Sequence, residues 1–268
     1  MRKNTNLLKF KFYSNLSGFT SSSRSDTELY FNEHFDELRH RIFYILTFLC
    51  VFTFIIFYNV KIIVKILEDP VTKIQFFQLS PGDYFLSTLI ISFSLGILFS
   101  TPLLLSQLLL FFRPALNKNE RKSIFWLLLS SLFLFFLGLL FSYFLLIPAA
   151  INFFIFYGSE VIEPLWSFNQ YFTFVSALFF STGLVFQVPI VQIILSLFKI
   201  VDPIKMFNYW RPMILFSTIL GAILTPSADP ITQLLLSSAL FLLYFIGSLI
   251  SINLIKKQAK KYSLSKSL

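Results

Sequence analysis

His34-Phe35-Asp36-Glu37-Leu38-Arg39-His40-Arg41-Ile42 is the last charged stretch before a run, Ile42 to Tyr58, that carries no charge. Wound as a helix, the stretch sets Phe31, Phe35, Leu38 and Ile42 on one narrow stripe, with Glu33, Glu37, His40 and Arg41 facing the other way. A segment of this kind lies at a membrane surface and feeds a chain that must then enter the bilayer. Two readings of Glu37 stand. Either it pairs with Arg41, one turn on, for about 0.3–0.5 kcal/mol on a solvated face, or it is a carboxylate held out for a cationic partner.

Composition agrees with the membrane reading. Hydrophobic residues make up 56% of the chain and charged residues 13%, with 37 phenylalanines. A soluble globule cannot hide that much apolar surface. The apolar runs are long enough for helices to cross about 30 Å of hydrocarbon, and no alternating strands suggest a barrel. The single cysteine, Cys50, excludes an intrachain disulfide and a cysteine metal cluster. Both histidines, His34 and His40, precede the apolar runs, which argues against a haem held between helices. No phosphate-binding glycine loop, nucleophile elbow or metal-ligand spacing is present, so the chain reads as no enzyme, with no metal and no cofactor.

Outward from the first span, the sequence predicts an all-α membrane domain over residues 31–255. A basic tail (1–30) precedes it and another (256–268) follows. The tail before the domain reads as disordered, though a cleaved transit segment has a similar composition. The segment from Asn59 to Asp83 is too mixed for lipid and reads as an ordered cap or loop. Further spans are expected at about Tyr84–Phe111, Ile124–Ile147 (ended by Pro148), Tyr171–Phe198, Pro212–Leu224 and Ile231–Ile255. Pro102 should tilt or kink the second. The fifth span has about 13 residues, only about 20 Å of helix, and the fifth and sixth together are expected to be the short pair.

Six crossings return the chain to its starting side. All but three of the 22 basic residues then share that side, the exceptions being Lys61, Lys65 and Lys73. By the positive-inside rule both termini face the cytoplasm or stroma. The net charge of +9 is therefore topological and does not call for nucleic acid.

Glu120 is the only acid in a loop with Arg113, Lys118, Arg121 and Lys122, on the same expected side as Glu37. Two carboxylates near one surface suit a ligand with adjacent arginines, because a carboxylate takes a guanidinium through parallel hydrogen bonds. The alternative is that Glu120 only trims the loop's charge. Gln187, just before Pro189, is polar at mid-span; it either hydrogen-bonds a neighbouring helix or lines a path.

Five segments resemble the TatC family, the multispan core of the twin-arginine translocase: HFDELRHRIF (34–43), QLSPGDYF (78–85), FFRPALNKNER (111–121), STGLVFQVPI (181–190) and LTPSADPITQ (224–233). The resemblance implies a receptor and channel core that binds twin-arginine signal peptides. With single-span TatA- and TatB-type subunits, as a homo-oligomer within a larger complex, such a core moves folded proteins on the proton gradient. Position by position, Glu37 and Glu120 match the acids that contact the signal peptide's arginines, and Arg39, Phe111, Pro114 and Arg121 match motif positions near them. Pro70, Asp83 and Asp229 match motif positions on the far side. Gln187 stands where many bacterial relatives carry glutamate. The spacing of TPSAD, with QLSPG and FQVPI, is similar to the cyanobacterial and plastid branch, which implies a thylakoid membrane, with the mitochondrial inner membrane or bacterial plasma membrane as alternatives. A different reading is a small-solute or ion permease, or a structural subunit of an energy-converting complex. Gln187 with Pro189 is its main support.

Overall fold

The computed structural model describes residues 36–69, 75–78, 80–111, 118–158, 165–226 and 229–266. Two compact units divide between Thr47 and Phe48. The described part of the first is the opening of helix α1 (Asp36–Tyr58). It is amphipathic only in its first turns and then uniformly apolar, as expected for a helix leaving a surface for lipid.

Within the second unit, α1 continues to Tyr58, where Asn59 turns the chain into α2 (Val60–Glu68). Strand β1 (Gln75–Phe77) leads to α3 (Asp83–Phe111), and α4 (Lys118–Phe141) passes through a π-helical turn (Ser142–Leu146) into α5 (Ile147–Gly158). Strand β2 (Leu165–Ser167), α6 (Phe168–Val185), α7 (Val188–Leu197), α8 (Pro203–Asn208), α9 (Trp210–Leu224) and α10 (Pro230–Lys266) complete the chain. Five stretches are long and apolar enough to cross a membrane, and α9 is a shorter apolar helix. The all-α, six-crossing reading stands. The sixth crossing, however, is not short: its apolar stretch, Pro230–Lys256, has 27 residues against 15 in α9.

The prolines show how intramembrane backbone is kept satisfied. Pro102 cannot donate to the carbonyl of Leu98, and the Thr101 hydroxyl donates to that oxygen instead, at 2.8 Å. Pro148 does not end the third span, contrary to expectation. That span runs from Ile124 to Gly158, because the π turn, closed by Ile147 N–H donating to Ser142 O, widens the helix just ahead of the proline ring. The fourth span does break: α6 ends at Val185 and α7 starts at Val188, with Pro189 in its first turn.

Side chains meet where backbones approach closely. A Cβ at Gly183 would lie 2.9 Å from Leu98 Cδ1, and one at Gly138 2.9 Å from Phe186 Cγ. The main core joins Ile91, Leu95 and Leu98 of α3 to Phe135 of α4 and Phe172, Val175 and Leu178 of α6. Outward-facing residues such as Phe133, Phe144, Leu215 and Ile223 remain exposed, which a surrounding of acyl chains makes favourable.

A cap covers one end of the second unit. Helix α2 buries Val64 and Leu67, and β1 pairs in parallel with β2, Phe76 opposite Trp166. Phe76 sits in an aromatic nest with Phe168, Tyr171 and Phe172, its ring 4.9 Å from that of Tyr171. The last carbonyls of a helix have no partner within it. Here Tyr171 Oη donates to Leu67 O at 2.7 Å and Tyr143 Oη to Ile66 O at 3.1 Å, tying α2 to the bundle.

Candidate functional site

Glu37 lies in the first turn of α1, half-buried, and already holds a guanidinium. Arg41 Nη2 donates to Oε1 at 2.6 Å and Nε to the same oxygen at 3.1 Å. This is the one-turn pair anticipated from the spacing. Both donors converge on one carboxylate oxygen, Oε1. Arg39 and His40 are exposed on the same helix, His40 Nδ1 lying 2.9 Å from the carbonyl of Asp36.

Phe111 is the last residue of α3 and is half-buried. Pro114 and Pro70 lie outside the described residues. Glu120 and Arg121 fall in the first turn of α4, and their side chains are likewise outside what is described.

Two acids at the other end of the spans act on backbone. Asp83 opens α3: Ser80 N–H donates to Oδ2 at 2.9 Å and Ser80 Oγ to Oδ1 at 2.7 Å, the acid half of a capping box. Asp229, 1% exposed, accepts from Thr232 N–H at 2.8 Å and caps α10, with Pro230 in the helix's first position. A negative charge there also meets the positive end of the helix dipole. Glu68, at the end of α2, has its pKa raised from the ordinary carboxylate value by burial and, secondarily, by neighbouring Asp69.

Gln187 occupies the break in the fourth span, 4% exposed. Ser131 Oγ donates to its Oε1 at 2.7 Å, and its Nε2 donates to Ser131 O at 3.2 Å. The amide thus bolts the break to α4. Ser131 escaped sequence reasoning, since one serine in an apolar helix carries no periodic signal. Gln192, one turn further and also buried, was missed for the same reason.

A family model described as Sec-independent protein translocase protein (TatC) matches residues 33–238. The chain is 56% identical over 229 residues to a tatC-like protein, ycf43, of Trieres chinensis, covering 85% of this chain and 87% of that one. It is 46% identical over 222 residues to the TatC translocase protein of Synechocystis (83% and 87% covered). Against the chloroplastic TATC of Pisum sativum it is 43% identical over 227 residues, covering 83% of this chain and 64% of that one. A crystal structure of the twin arginine translocase receptor TatC superposes with a TM-score of 0.72 at 31% identity, over 81% of this chain and 99% of the other.

Proposed function

The chain belongs to the TatC family of Sec-independent protein translocases, and from that premise we propose that it receives twin-arginine signal peptides and forms the core through which folded cargo crosses a thylakoid membrane. The signal peptide docks where α1 leaves the surface. Glu37, with Glu120 on the loop side of α4, takes the two guanidinium groups; Arg39, Phe111, Pro114 and Arg121 shape their surroundings. Single-span TatA- and TatB-type subunits complete the complex, and the proton gradient drives it. Both termini face the stroma, in keeping with the distribution of basic residues.

What supports this reading is the family match over residues 33–238, which spans both Glu37 and Glu120. A fork of donors on a planar cation meets a carboxylate in a way that an ammonium cannot, so arginine is preferred over lysine by geometry.

The test is photo-crosslinking of a twin-arginine precursor and its twin-lysine counterpart to the protein in membranes. Arginine-dependent crosslinking is expected with the wild type and should fall at least tenfold with Glu37→Ala or Glu120→Ala. Undiminished, arginine-dependent crosslinking to the double variant would remove these residues from the site.

The permease reading has one observation of its own, the break at Phe186–Gln187. The pairing of Gln187 with Ser131 supports a packed joint there instead of a ligand site.

A further inference from the structure

Gln192 lies in α7 with 5% of its surface exposed, and neither Oε1 nor Nε2 has a hydrogen-bond partner among the described residues. An amide group carries two donors and a two-lone-pair acceptor. At this depth lipid can satisfy none of them. Five residues earlier, Gln187 shows the ordinary solution, with both amide atoms paired to Ser131.

The surroundings of Gln192 are tightly packed. Helix α10 approaches at Gly247, where a Cβ would overlap Gln192 Oε1 and lie 2.8 Å from Pro189 Cα. The nearby hydroxyls are committed to their own helices. Ser196 Oγ donates to the Gln192 backbone carbonyl at 2.9 Å, Ser248 Oγ to Phe245 O at 2.8 Å, and Ser251 Oγ to Gly247 O at 2.9 Å. The closed seam between α7 and α10 therefore packs well and leaves one amide unsatisfied. A contact that is favourable in shape but leaves a buried polar group unpaired loses less on opening than a fully satisfied one.

We infer that the α7–α10 seam is the joint that parts during transport, with Gln192 as the positioning residue that keeps it from locking shut. Closure rests on Gly247 of α10 admitting the close approach of α7. Opening lets water or the passing chain reach the amide, which repays part of the lost packing. The inference rests on the translocase reading above and adds to it the place where the bundle opens.

Because Cys50 is the only cysteine, Cys50→Ser provides a thiol-free background for the full chain in membranes holding the complete translocase. Ser251→Cys then puts a thiol on α10, one turn beyond Gly247, at a position 1% exposed. A water-soluble maleimide should label it slowly at rest and at least fivefold faster while a twin-arginine precursor is being transported. Adding Gln192→Met, similar in volume but without the amide, should abolish that acceleration and slow transport about tenfold, leaving arginine-dependent crosslinking at the docking site unchanged. Gly247→Ala, which holds the helices apart, should give fast labelling at rest. Labelling that transport does not accelerate overturns the inference, as does a Gln192→Met protein that transports at the wild-type rate. Failure of the receptor reading is distinguishable, since twin-arginine and twin-lysine precursors would then crosslink alike.

Discussion

Thr101 illustrates how much a single hydroxyl carries at the residue scale. It supplies the donor that Pro102 withholds from the Leu98 carbonyl. Thr101→Val keeps the shape and removes the donor, so α3 should lose about 1–3 kcal/mol, read as a lower melting temperature of the purified protein. Asp229 can be separated in the same way. Asp229→Ala removes the α10 cap and should cost about 0.5–2 kcal/mol, whereas Asp229→Asn keeps the cap acceptor and should lose only the charge–dipole part, about 0.3–1 kcal/mol. The sequence showed that Asp83, Gln187 and Asp229 were polar residues in motif positions. It could not show what they touch. Capping by Asp83 and Asp229 and the bolt from Gln187 to Ser131 depend on distances of a few tenths of an ångström, and Gln192 differs from Gln187 only in having no such neighbour.

At the scale of elements, the cap tests whether local electrostatics governs its docking. The Glu68 pKa is raised in the folded protein, so the native state holds its proton more tightly than the unfolded chain does. Its contribution is therefore neutral to stability at low pH and becomes a penalty as pH rises through the carboxylate range and above. Glu68→Gln should remove that slope, with the variant more stable than wild type at neutral pH and equal to it in acid, as measured by hydrogen exchange of α2 amides. Tyr171→Phe removes the donor to Leu67 and should speed the same exchange by several-fold, for a bond worth about 0.5–1.5 kcal/mol. The long spans were legible because twenty apolar residues in a row permit little else. The strands β1 and β2 were not, because three residues are too few to display a period of two and their partners lie about ninety positions apart. Pro148 misled in the opposite direction: a proline usually stops a helix, and the π turn that accommodates it has no signature in the residues alone.

For the whole molecule, the length of the spans against the thickness of the bilayer becomes the controlling quantity. Helix α9 has 15 residues, about 22 Å at 1.5 Å per residue, against about 30 Å of hydrocarbon. It cannot tilt to correct this, since tilt only shortens its reach, and Gly221 pins it to α10, where a Cβ would stand 3.0 Å from Ser237 Cβ. Ile214, Leu215, Phe216, Ile219 and Ile223 are exposed, and thinning of the lipid beside this helix is the expected accommodation. Each ångström of mismatch costs a fraction of a kcal/mol, and several ångströms accumulate on one side of the bundle. Reconstituted protein should therefore have a higher melting temperature in bilayers of 14-carbon chains than in those of 22-carbon chains. Lengthening α9 by one turn of leucines should move that optimum toward thicker bilayers. An unchanged optimum in the lengthened protein would mean that the five long spans alone set the match, and that water or a partner helix, instead of thinned lipid, covers the ends of α9.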